Sequence, residues 1–407
     1  MRRQVVVILV ILAIGVLLAW LYLEWVSGPA PPSPPVLPVE VPKAPPPGLK
    51  IGVVLPLSGA RATKGAEAKA GLEVALARAK AEHGLEARLL IEDDKGESSE
   101  AENLIRKLVM RENVLAVITG AVKDDPRPSH LAQELRVPIL LLKDYDEALL
   151  ARTGYLFGLG LAPEDEAAVL AHFAARELGL KYAGVIVDVK DALLTSAARA
   201  FREAYETSGG QVVSQVSCVS GDEDFSAQIN RIKARGAEVL FALADANEGA
   251  KIILQAREAG FKAPILGTSR WSQPAITGLD KEILGECYLT NYFSLEEPWP
   301  SRREALASLK ESLGEEEASD TLALAYDAFS LLAQALSQAP RPTRETLAPA
   351  LGEIKDFPGI TGKLSFKGTG AVVRNILVLE IAGAVDSRLF PPYYFQKVPA
   401  PVEIELP

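Results

Sequence analysis

Hydrogen-bonding and charged side chains gather in six loops, each of which follows a short apolar run of sequence. Such side chains, set among apolar neighbours, orient small polar ligands in protein pockets. The six loops span residues 56–65, 119–128, 143–146, 189–195, 244–248 and 268–273. The candidate ligand-binding residues that they supply are Ser58, Arg61, Thr63, Lys64, Lys123, Asp124, Tyr145, Asp146, Asp191, Asp245, Arg270 and Trp271.

Each of these residues also has a structural interpretation, as a solvated loop charge or as the cap of the following helix. Ser58, Asp125 and Asp191 stand where helices are expected to begin, and Ser and Asp are favoured capping residues. The clustering of the whole set favours a pocket. In open α/β sheets, ligands bind at the carboxyl ends of the strands, where helix N-termini direct free N–H groups.

Catalytic chemistry has little support in this sequence. The chain has three histidines, and none of His83, His130 and His172 stands in a motif with a serine or cysteine nucleophile. The Asp93–Asp94 pair ends a predicted strand, which fits loop solvation better than acid–base work. The G-x-G that begins at Gly158 lacks the third glycine of a dinucleotide site. We therefore expect no enzymatic activity and no cofactor.

Charge and cysteine content exclude further classes. The chain has 43 Lys and Arg against 53 Asp and Glu, a formal charge of −10, whereas nucleic-acid binding needs an excess of basic residues. Two cysteines are too few for a disulfide scaffold or an all-cysteine zinc site, and we expect no metal. Cys218 and Cys287 fall on predicted strands and are interpreted as buried thiols rather than a disulfide.

From Leu49 onward, short apolar runs alternate with amphipathic segments. Lys50–Leu55 is predicted to be a buried strand, and the segment after it places Leu72 and Leu76 on one helical face. A second cycle of the same kind begins at Tyr182–Val187. Alternating strands and helices predict parallel sheets covered on both faces. We expect two α/β lobes, since two similar lobes are simpler than one very wide sheet.

The first 26 residues have the pattern of a membrane segment. Val5–Leu23 contains no charge and, at about 1.5 Å per residue, nearly spans a hydrocarbon core of about 30 Å. Arg2 and Arg3 precede it, which places the N-terminus in the cytoplasm and the rest of the chain outside. We predict an uncleaved, single-pass signal anchor over residues 1–26. The alternative is a cleaved signal peptide and secretion, although the apolar core of such a peptide is usually only about 7–15 residues long.

A proline-rich spacer is predicted over residues 27–48. Pro29–Pro47 holds 10 of the chain's 28 prolines. Such a run favours the extended polyproline II conformation and acts as a semi-rigid spacer. The spacer would hold the α/β lobes away from the membrane.

Four motifs occur in order along the remaining chain. They are IGVVLPLSGARATKGAEAKAGLEVALA from Ile51, DFSAQINRIKARGAEVL from Asp224, AYDAFSLLAQAL from Ala325 and GITGKLSF from Gly359. Together they resemble the type 1 periplasmic solute-binding proteins of the leucine/isoleucine/valine-binding class, which are substrate-binding proteins of ABC transporters. That class begins with a strand, Pro-Leu-Ser-Gly, a short loop, Gly and an Ala-rich helix.

The resemblance implies two Rossmann-like lobes that are joined by three crossovers and close on a small ligand in the cleft between them. It implies an N-lobe over 49–161 and 294–339 and a C-lobe over 162–292 and 340–391, followed by a tail over 392–407. If the strand order of the family holds, Cys218 and Cys287 lie at opposite edges of the C-lobe sheet.

Some candidate residues depart from the pattern of amino-acid-binding members. In that class, hydroxyl side chains of two N-lobe loops hold the ligand carboxylate, and a C-lobe acid holds the α-ammonium. Here Asp124 and Asp146 fall where hydroxyls are expected, and an aspartate repels a carboxylate unless a cation such as Lys123 or Arg61 intervenes. The Ser269–Trp271 run also differs from the expected acidic loop. These departures disfavour an ordinary branched-chain amino acid, and a cationic, polyol-like or amide ligand stays open.

The expected function is therefore that of an extracytoplasmic solute-binding protein, which closes on a small polar ligand and presents it to an ABC permease. An amino acid, an amide or a related solute would be the ligand. The alternative is a membrane-tethered regulatory or scaffold protein that uses the same two lobes to contact an envelope enzyme or sensor. In that case the cleft would no longer bind a small molecule.

Overall fold

The computed structural model describes residues 48–120, 127–142, 145–294, 306–307, 309, 311, 319–338, 341–384 and 393–397. All of these belong to one compact unit over residues 41–407. No helix among them is both long enough and apolar enough to cross a membrane. The predicted signal anchor, and all of the predicted spacer except residue 48, lie outside the described residues.

The first lobe is built on a parallel sheet with strand order β2-β1-β3-β4-β5. Its strands are β1 (Leu49–Leu55), β2 (Ala87–Asp93), β3 (Ala116–Thr119), β4 (Ile139–Leu141) and β5 (Leu156–Gly158). Its helices include α1 (Ala62–His83), α2 (Ser98–Met110), α3 (Arg127–Leu135) and α4 (Glu147–Leu150). Strand β1 is buried on both faces, since Ile51, Val53 and Val54 are all inaccessible to solvent. The predicted strand–helix alternation and parallel sheet are confirmed.

Two glycines let helix α1 approach its neighbours closely. A Cβ atom added at Gly65 would lie 2.1 Å from the carbonyl oxygen of Pro56, in the loop after β1. A Cβ atom at Gly71 would lie 2.2 Å from the carbonyl oxygen of Leu322, on helix α11 (Asp320–Gln338). A side chain at Gly65 would push α1 away from that loop, and one at Gly71 would push it away from α11. These two glycines therefore permit the close packing of α1 in the first lobe.

The second lobe has a seven-stranded sheet with the order β15-β14-β10-β9-β8-β6-β7. Its strands are β6 (Tyr182–Asp188), β7 (Gln211–Cys218), β8 (Val239–Leu243), β9 (Ile265–Gly267), β10 (Cys287–Asn291), β14 (Leu377–Ala384) and β15 (Tyr393–Lys397). Its helices are α5 (Pro163–His172), α6 (Ala192–Thr207), α7 (Ser226–Ala234), α8 (Ala246–Glu258), α9 (Pro274–Thr277) and α10 (Lys281–Leu284). The first five strands in chain order are parallel, and β14 and β15 extend the sheet in antiparallel fashion.

The chain passes between the two sheets at residues 159–162, after 292, and at 374–376. Between the last two crossings lie α11, α12 (Arg344–Gly352) and the small antiparallel sheet of β11 (Phe357–Gly359), β12 (Gly362–Phe366) and β13 (Val372–Val373). The sequence prediction grouped all of 340–391 with the C-lobe. The contacts of 344–373 differ: the Arg344 guanidinium donates to the Val114 carbonyl (2.8 Å), and Gly158 donates to the Gly370 carbonyl (3.0 Å). This segment therefore packs on the first lobe, and only β14 and β15 join the second sheet.

The two cysteines are buried free thiols. Cys218 ends the edge strand β7, as the resemblance implied. Cys287 does not lie at the opposite edge, because β14 and β15 continue the sheet beyond β10. Three strands separate β10 from β7.

Candidate functional site

Three of the predicted ligand-binding residues meet at the carboxyl end of the C-lobe sheet. Asp191 follows β6, Asp245 follows β8 and Arg270 follows β9. The Arg270 Nη1 atom lies 2.5 Å from Asp191 Oδ2 and 3.2 Å from Asp245 Oδ1. We call these three residues the C-lobe cluster. Adjacent parallel strands end at one edge of a sheet, and this topology brings the three loops together.

Asp191 caps helix α6 and also forms the ion pair with Arg270. Its Oδ1 atom accepts hydrogen bonds from the backbone N–H groups of Leu193 (3.0 Å) and Leu194 (3.2 Å), which begin helix α6. Its Oδ2 atom is paired with Arg270. The capping interpretation of Asp191 and its membership of a polar cluster are therefore both correct.

The three members of the C-lobe cluster differ in exposure. The Asp191 and Arg270 side chains are 3% and 11% exposed, whereas that of Asp245 is 43% exposed. Asp245 occupies the N-cap position of α8 but accepts no capping hydrogen bond there. Asp245 is therefore the solvent-facing member of the cluster. This arrangement can accept hydrogen bonds from an ammonium, amide or hydroxyl group.

Trp271 belongs to the hydrophobic core of the C-lobe. Its side chain is fully buried, and its indole N–H donates to the Ala244 carbonyl (3.1 Å). A Cβ atom added at Gly267 would lie 2.0 Å from the indole ring, so that glycine makes room for it. The sequence prediction placed Trp271 in the ligand pocket, but in this structure its side chain packs in the C-lobe core and supports the loop over residues 268–273.

Glu166 holds the same loop from the other side, and the sequence prediction missed it. It lies on α5 and is completely buried, and its Oε2 atom accepts from Ser269 N (2.7 Å) and from the Thr290 hydroxyl. Asp188 was missed as well: its Oδ2 atom accepts from the Ser220 hydroxyl at 2.5 Å, which joins the ends of β6 and β7. Nothing in the local sequence distinguishes Glu166 from its acidic neighbours, since only the tertiary fold buries it.

In the N-lobe, the loop after β1 presents Ser58, Arg61 and Thr63, all of which are exposed. The Asp93 carboxylate organises this loop, since it accepts from the backbone N–H groups of Leu57 (2.9 Å) and Ser58 (3.2 Å). The Ser58 hydroxyl, together with these backbone donors, lowers the pKa of Asp93. The sequence analysis assigned Asp93 to loop solvation, whereas in the structure it holds the loop after β1 through these hydrogen bonds.

Lys64 is engaged with an acid of a distant segment. Its Nζ atom lies 3.0 Å from Asp320 Oδ1, at the start of α11. Burial lowers the pKa of Lys64, but the Asp320 and Glu67 carboxylates outweigh it, so the pKa is raised. Burial raises the pKa of Asp320, but Lys64 and the Ser272 hydroxyl reverse that effect and lower it. Lys64 is therefore part of an internal ion pair rather than an exposed ligand donor.

The remaining predicted residues lie on the next two N-lobe loops. Lys123 and Asp124 lie outside the described residues. Asp146 caps α4, since its carboxylate accepts a hydrogen bond from the backbone N–H of Ala148 (2.7 Å). The structural interpretation of this residue as a helix cap is therefore confirmed. Tyr145 is buried against Gly158, where an added Cβ atom would lie 2.3 Å from its ring. Among the described residues, no group of histidine, cysteine and acidic side chains could hold a metal ion.

Two largely parallel sheets, with polar loops at the carboxyl ends of their parallel strands and three chain crossings between them, define a two-lobed α/β binding-protein fold. Residues 48–385 match the periplasmic binding protein family, and the chain belongs to that family. The resemblance found in the sequence is thereby confirmed. The family consists of solute-binding proteins rather than enzymes, and membership implies an extracytoplasmic location.

Three similar proteins have names that refer to the binding of leucine, isoleucine and valine or to branched-chain amino acid transport. The chain is 28% identical over 226 residues to the Leu/Ile/Val-binding protein homolog 3 of Brucella melitensis, an alignment that covers 54% of this chain and 60% of that protein. It is similar to the leucine-binding protein LivK of Thermotoga maritima, with a TM-score of 0.74, 25% identity, and coverage of 86% of this chain and 97% of that one. For LivJ of Streptococcus pneumoniae, solved in complex with isoleucine, the TM-score is 0.71 with 25% identity, and 82% of this chain and 96% of that one are covered.

Proposed function

We propose that this protein is the solute-binding component of an ABC transporter for a small polar ligand. The observation that supports this proposal best is the C-lobe cluster, in which Arg270 contacts both the buried Asp191 and the half-exposed Asp245 at the carboxyl end of the sheet. In open α/β sheets, that end is where ligands bind. Solute-binding relatives with the same two-lobed fold support the same conclusion.

The proposed ligand is an amino acid, an amide or a related solute that presents hydrogen-bond donors to the C-lobe. Asp245 would accept from that donor group, while Arg270 keeps the carboxylate in place. On the N-lobe side, Arg61 and Thr63 are exposed and could meet a polar or anionic end of the ligand. The names of the relatives point to branched-chain amino acids. Asp124 stands in the sequence where amino-acid-binding members carry a hydroxyl, and this difference favours a more polar ligand.

In the proposed mechanism, the ligand bridges the two lobes and stabilises a closed form, which the permease recognises. The three crossovers would act as the hinge. A signal anchor over residues 1–26 and the spacer after it would keep the protein next to its membrane partner. These parts of the proposal follow from the sequence pattern and from the family.

The test is a thermal-unfolding screen of the full-length protein against amino acids, amides, polyamines and sugars. A ligand at about 100 times its Kd should add about 2.7 kcal/mol to the free energy of unfolding. For the ligand that is found, Asp245→Asn should weaken binding about tenfold or more, because a hydrogen bond to a charged group contributes about 1.5–3 kcal/mol.

The matched control is Asp356→Asn, which removes an exposed carboxylate paired with Lys363 at 3.7 Å on the small sheet. This variant should bind the ligand like the wild type. If no compound in the screen stabilised the protein, the transport proposal would be wrong, and the regulatory or scaffold alternative would be favoured.

A further inference from the structure

The Asp320 carboxylate, at the start of helix α11, is tied to the N-lobe through one of its two oxygens. The Oδ1 atom accepts from the Nζ atom of Lys64 on α1 (3.0 Å) and from the backbone N–H of Thr321 (2.6 Å). Helices α1 and α11 pack closely at Gly71, where an added Cβ atom would lie 2.2 Å from the Leu322 carbonyl oxygen. Asp320 therefore belongs to the same rigid part of the protein as α1.

The other oxygen of this carboxylate contacts the C-lobe. Asp320 Oδ2 accepts from the side-chain Nδ2 atom of Asn291 (3.5 Å). Asn291 is the last residue of β10 and is only 1% exposed. A single carboxylate thus bonds to donors of both lobes, one oxygen to each.

The Asn291 amide is divided in a similar way. Its Oδ1 atom accepts from the backbone N–H groups of Tyr292 (2.7 Å) and Phe293 (3.2 Å), with which the chain leaves β10 for the second crossover. Only the oxygen of an amide can accept from two N–H groups, so the nitrogen is the atom that faces Asp320. Asn291 therefore holds the backbone of the crossover and the carboxylate of the N-lobe together.

The surroundings keep Asp320 ionised and largely shielded from water. Its side chain is 13% exposed. Burial raises the pKa of Asp320, but Lys64 and the hydroxyl of Ser272, in the loop after β9, outweigh burial, so the pKa is lowered. A shielded carboxylate requires hydrogen-bond donors, and a hydrogen bond to a charged group is stronger than one between neutral groups. Asn291 and Ser272 supply such donors from the C-lobe.

We propose that Asp320 and Asn291 form a latch, which holds the two lobes in this arrangement when no solute is bound. Separation of the lobes beside the second crossover breaks the bond between Asn291 and Asp320, whereas the Lys64–Asp320 pair moves with the N-lobe. A ligand that binds one arrangement has a weaker apparent affinity when that arrangement is rarely populated. The latch therefore favours solute binding by keeping the lobes together beforehand, a consequence that rests on the proposed function.

The experiment measures distances between the lobes of the full-length protein, without solute, by pulsed electron paramagnetic resonance. Spin labels are attached through Ser99→Cys on α2 and Lys190→Cys after β6, since both positions are exposed and the chain's own cysteines are buried. Asn291→Asp keeps the acceptor for the crossover N–H groups but sets a second carboxylate against Asp320. It should shift the populations about tenfold towards longer distances, because a hydrogen bond to a charged group is lost.

Asp320→Asn alone should shift the distances in the same direction. Its amide nitrogen would face either Asn291 Nδ2 or Lys64 Nζ, and neither group can accept a hydrogen bond. Combining Asp320→Asn with Asn291→Asp exchanges donor and acceptor across the same contact, so the double variant should return to the wild-type distances. The control is Asp356→Asn, which changes an exposed carboxylate on the small sheet and should leave the distances unchanged.

The proposal is overturned if both single variants keep the wild-type distances, or if the double variant stays as open as the single variants. It is also overturned if Asp356→Asn opens the lobes to the same extent. Should one single variant fail to fold, the other single variant and the double variant give the same comparison. Because no solute is present, a failed latch leaves the transport proposal standing, and a failed solute screen leaves the latch measurable.

Discussion

The Arg270 guanidinium lies 2.5 Å from the Asp191 carboxylate, and both side chains are nearly buried at the ends of β9 and β6. The contact joins two loops that are 79 residues apart in sequence. Because Asp191 also caps α6, one carboxylate fixes a helix N-terminus and the position of the arginine. The geometry of the C-lobe cluster therefore depends on this pair.

Arg270→Met should destabilise the protein by about 3–5 kcal/mol, because removing one partner of a nearly buried pair leaves the other charge uncompensated. Urea denaturation, followed by circular dichroism, measures the loss. The control is Lys363→Met, which removes an ion pair whose side chains are 70% and 74% exposed. Such a surface pair contributes about 0–1 kcal/mol. Equal losses in the two variants would contradict a structural role for the Asp191–Arg270 pair.

The sequence predicted the two lobes because the strands are short, apolar and regularly separated by amphipathic helices. It also predicted where the polar loops lie, since loops follow strands. It could not predict which loop residues point outward. Trp271 and Lys64 stand in loops with the composition of a binding site, yet one is buried in the core and the other is paired with Asp320.

Long-range partners explain these differences. Lys64 and Asp320 are 256 residues apart, and no local pattern links them. Glu166 is completely buried. It accepts a hydrogen bond from the backbone N–H of Ser269, 103 residues further along the chain, and so supports a loop that is distant in sequence. Arg344 likewise ties α12 to the first lobe through carbonyl groups that the sequence cannot identify. A side chain's role here depends on packing between elements that only the tertiary fold brings together.

The Lys64–Asp320 pair should make stability depend on pH at both extremes. The pKa of Asp320 is lowered in the folded state, so its contribution is present above the ordinary value of 3.8 and is lost as the pH falls through the folded value. The pKa of Lys64 is raised, so its contribution is present below 10.5 and is lost as the pH rises through the folded value. Asp320→Asn should flatten the acid side of the stability profile, measured by urea unfolding from neutral pH to below pH 3.8. An unchanged acid slope in this variant would count against the pair.

Gly71→Ala should destabilise the first lobe, because its new Cβ atom would lie 2.2 Å from the Leu322 carbonyl oxygen. Neither backbone can yield without separating α1 from α11, and overpacking of this kind costs about 1–3 kcal/mol. Thermal unfolding reports the change. Gly154→Ala is the matched control, since its Cβ atom would meet nothing within 4 Å. The packing argument fails if the two alanine variants melt at the same temperature.

Cys218 and Cys287 should be unreactive in the folded protein. Burial, joined at Cys218 by the charges of nearby acids, raises the pKa of each thiol to about 12, so almost no thiolate is present at pH 8. Both residues are also shielded from solvent, at 3% and 0% exposure. An aromatic disulfide reagent at pH 8 should therefore detect no thiol in the native state and both of the chain's 2 cysteines in urea. Rapid modification of either cysteine before unfolding would show that the C-lobe sheet opens locally around β7 or β10.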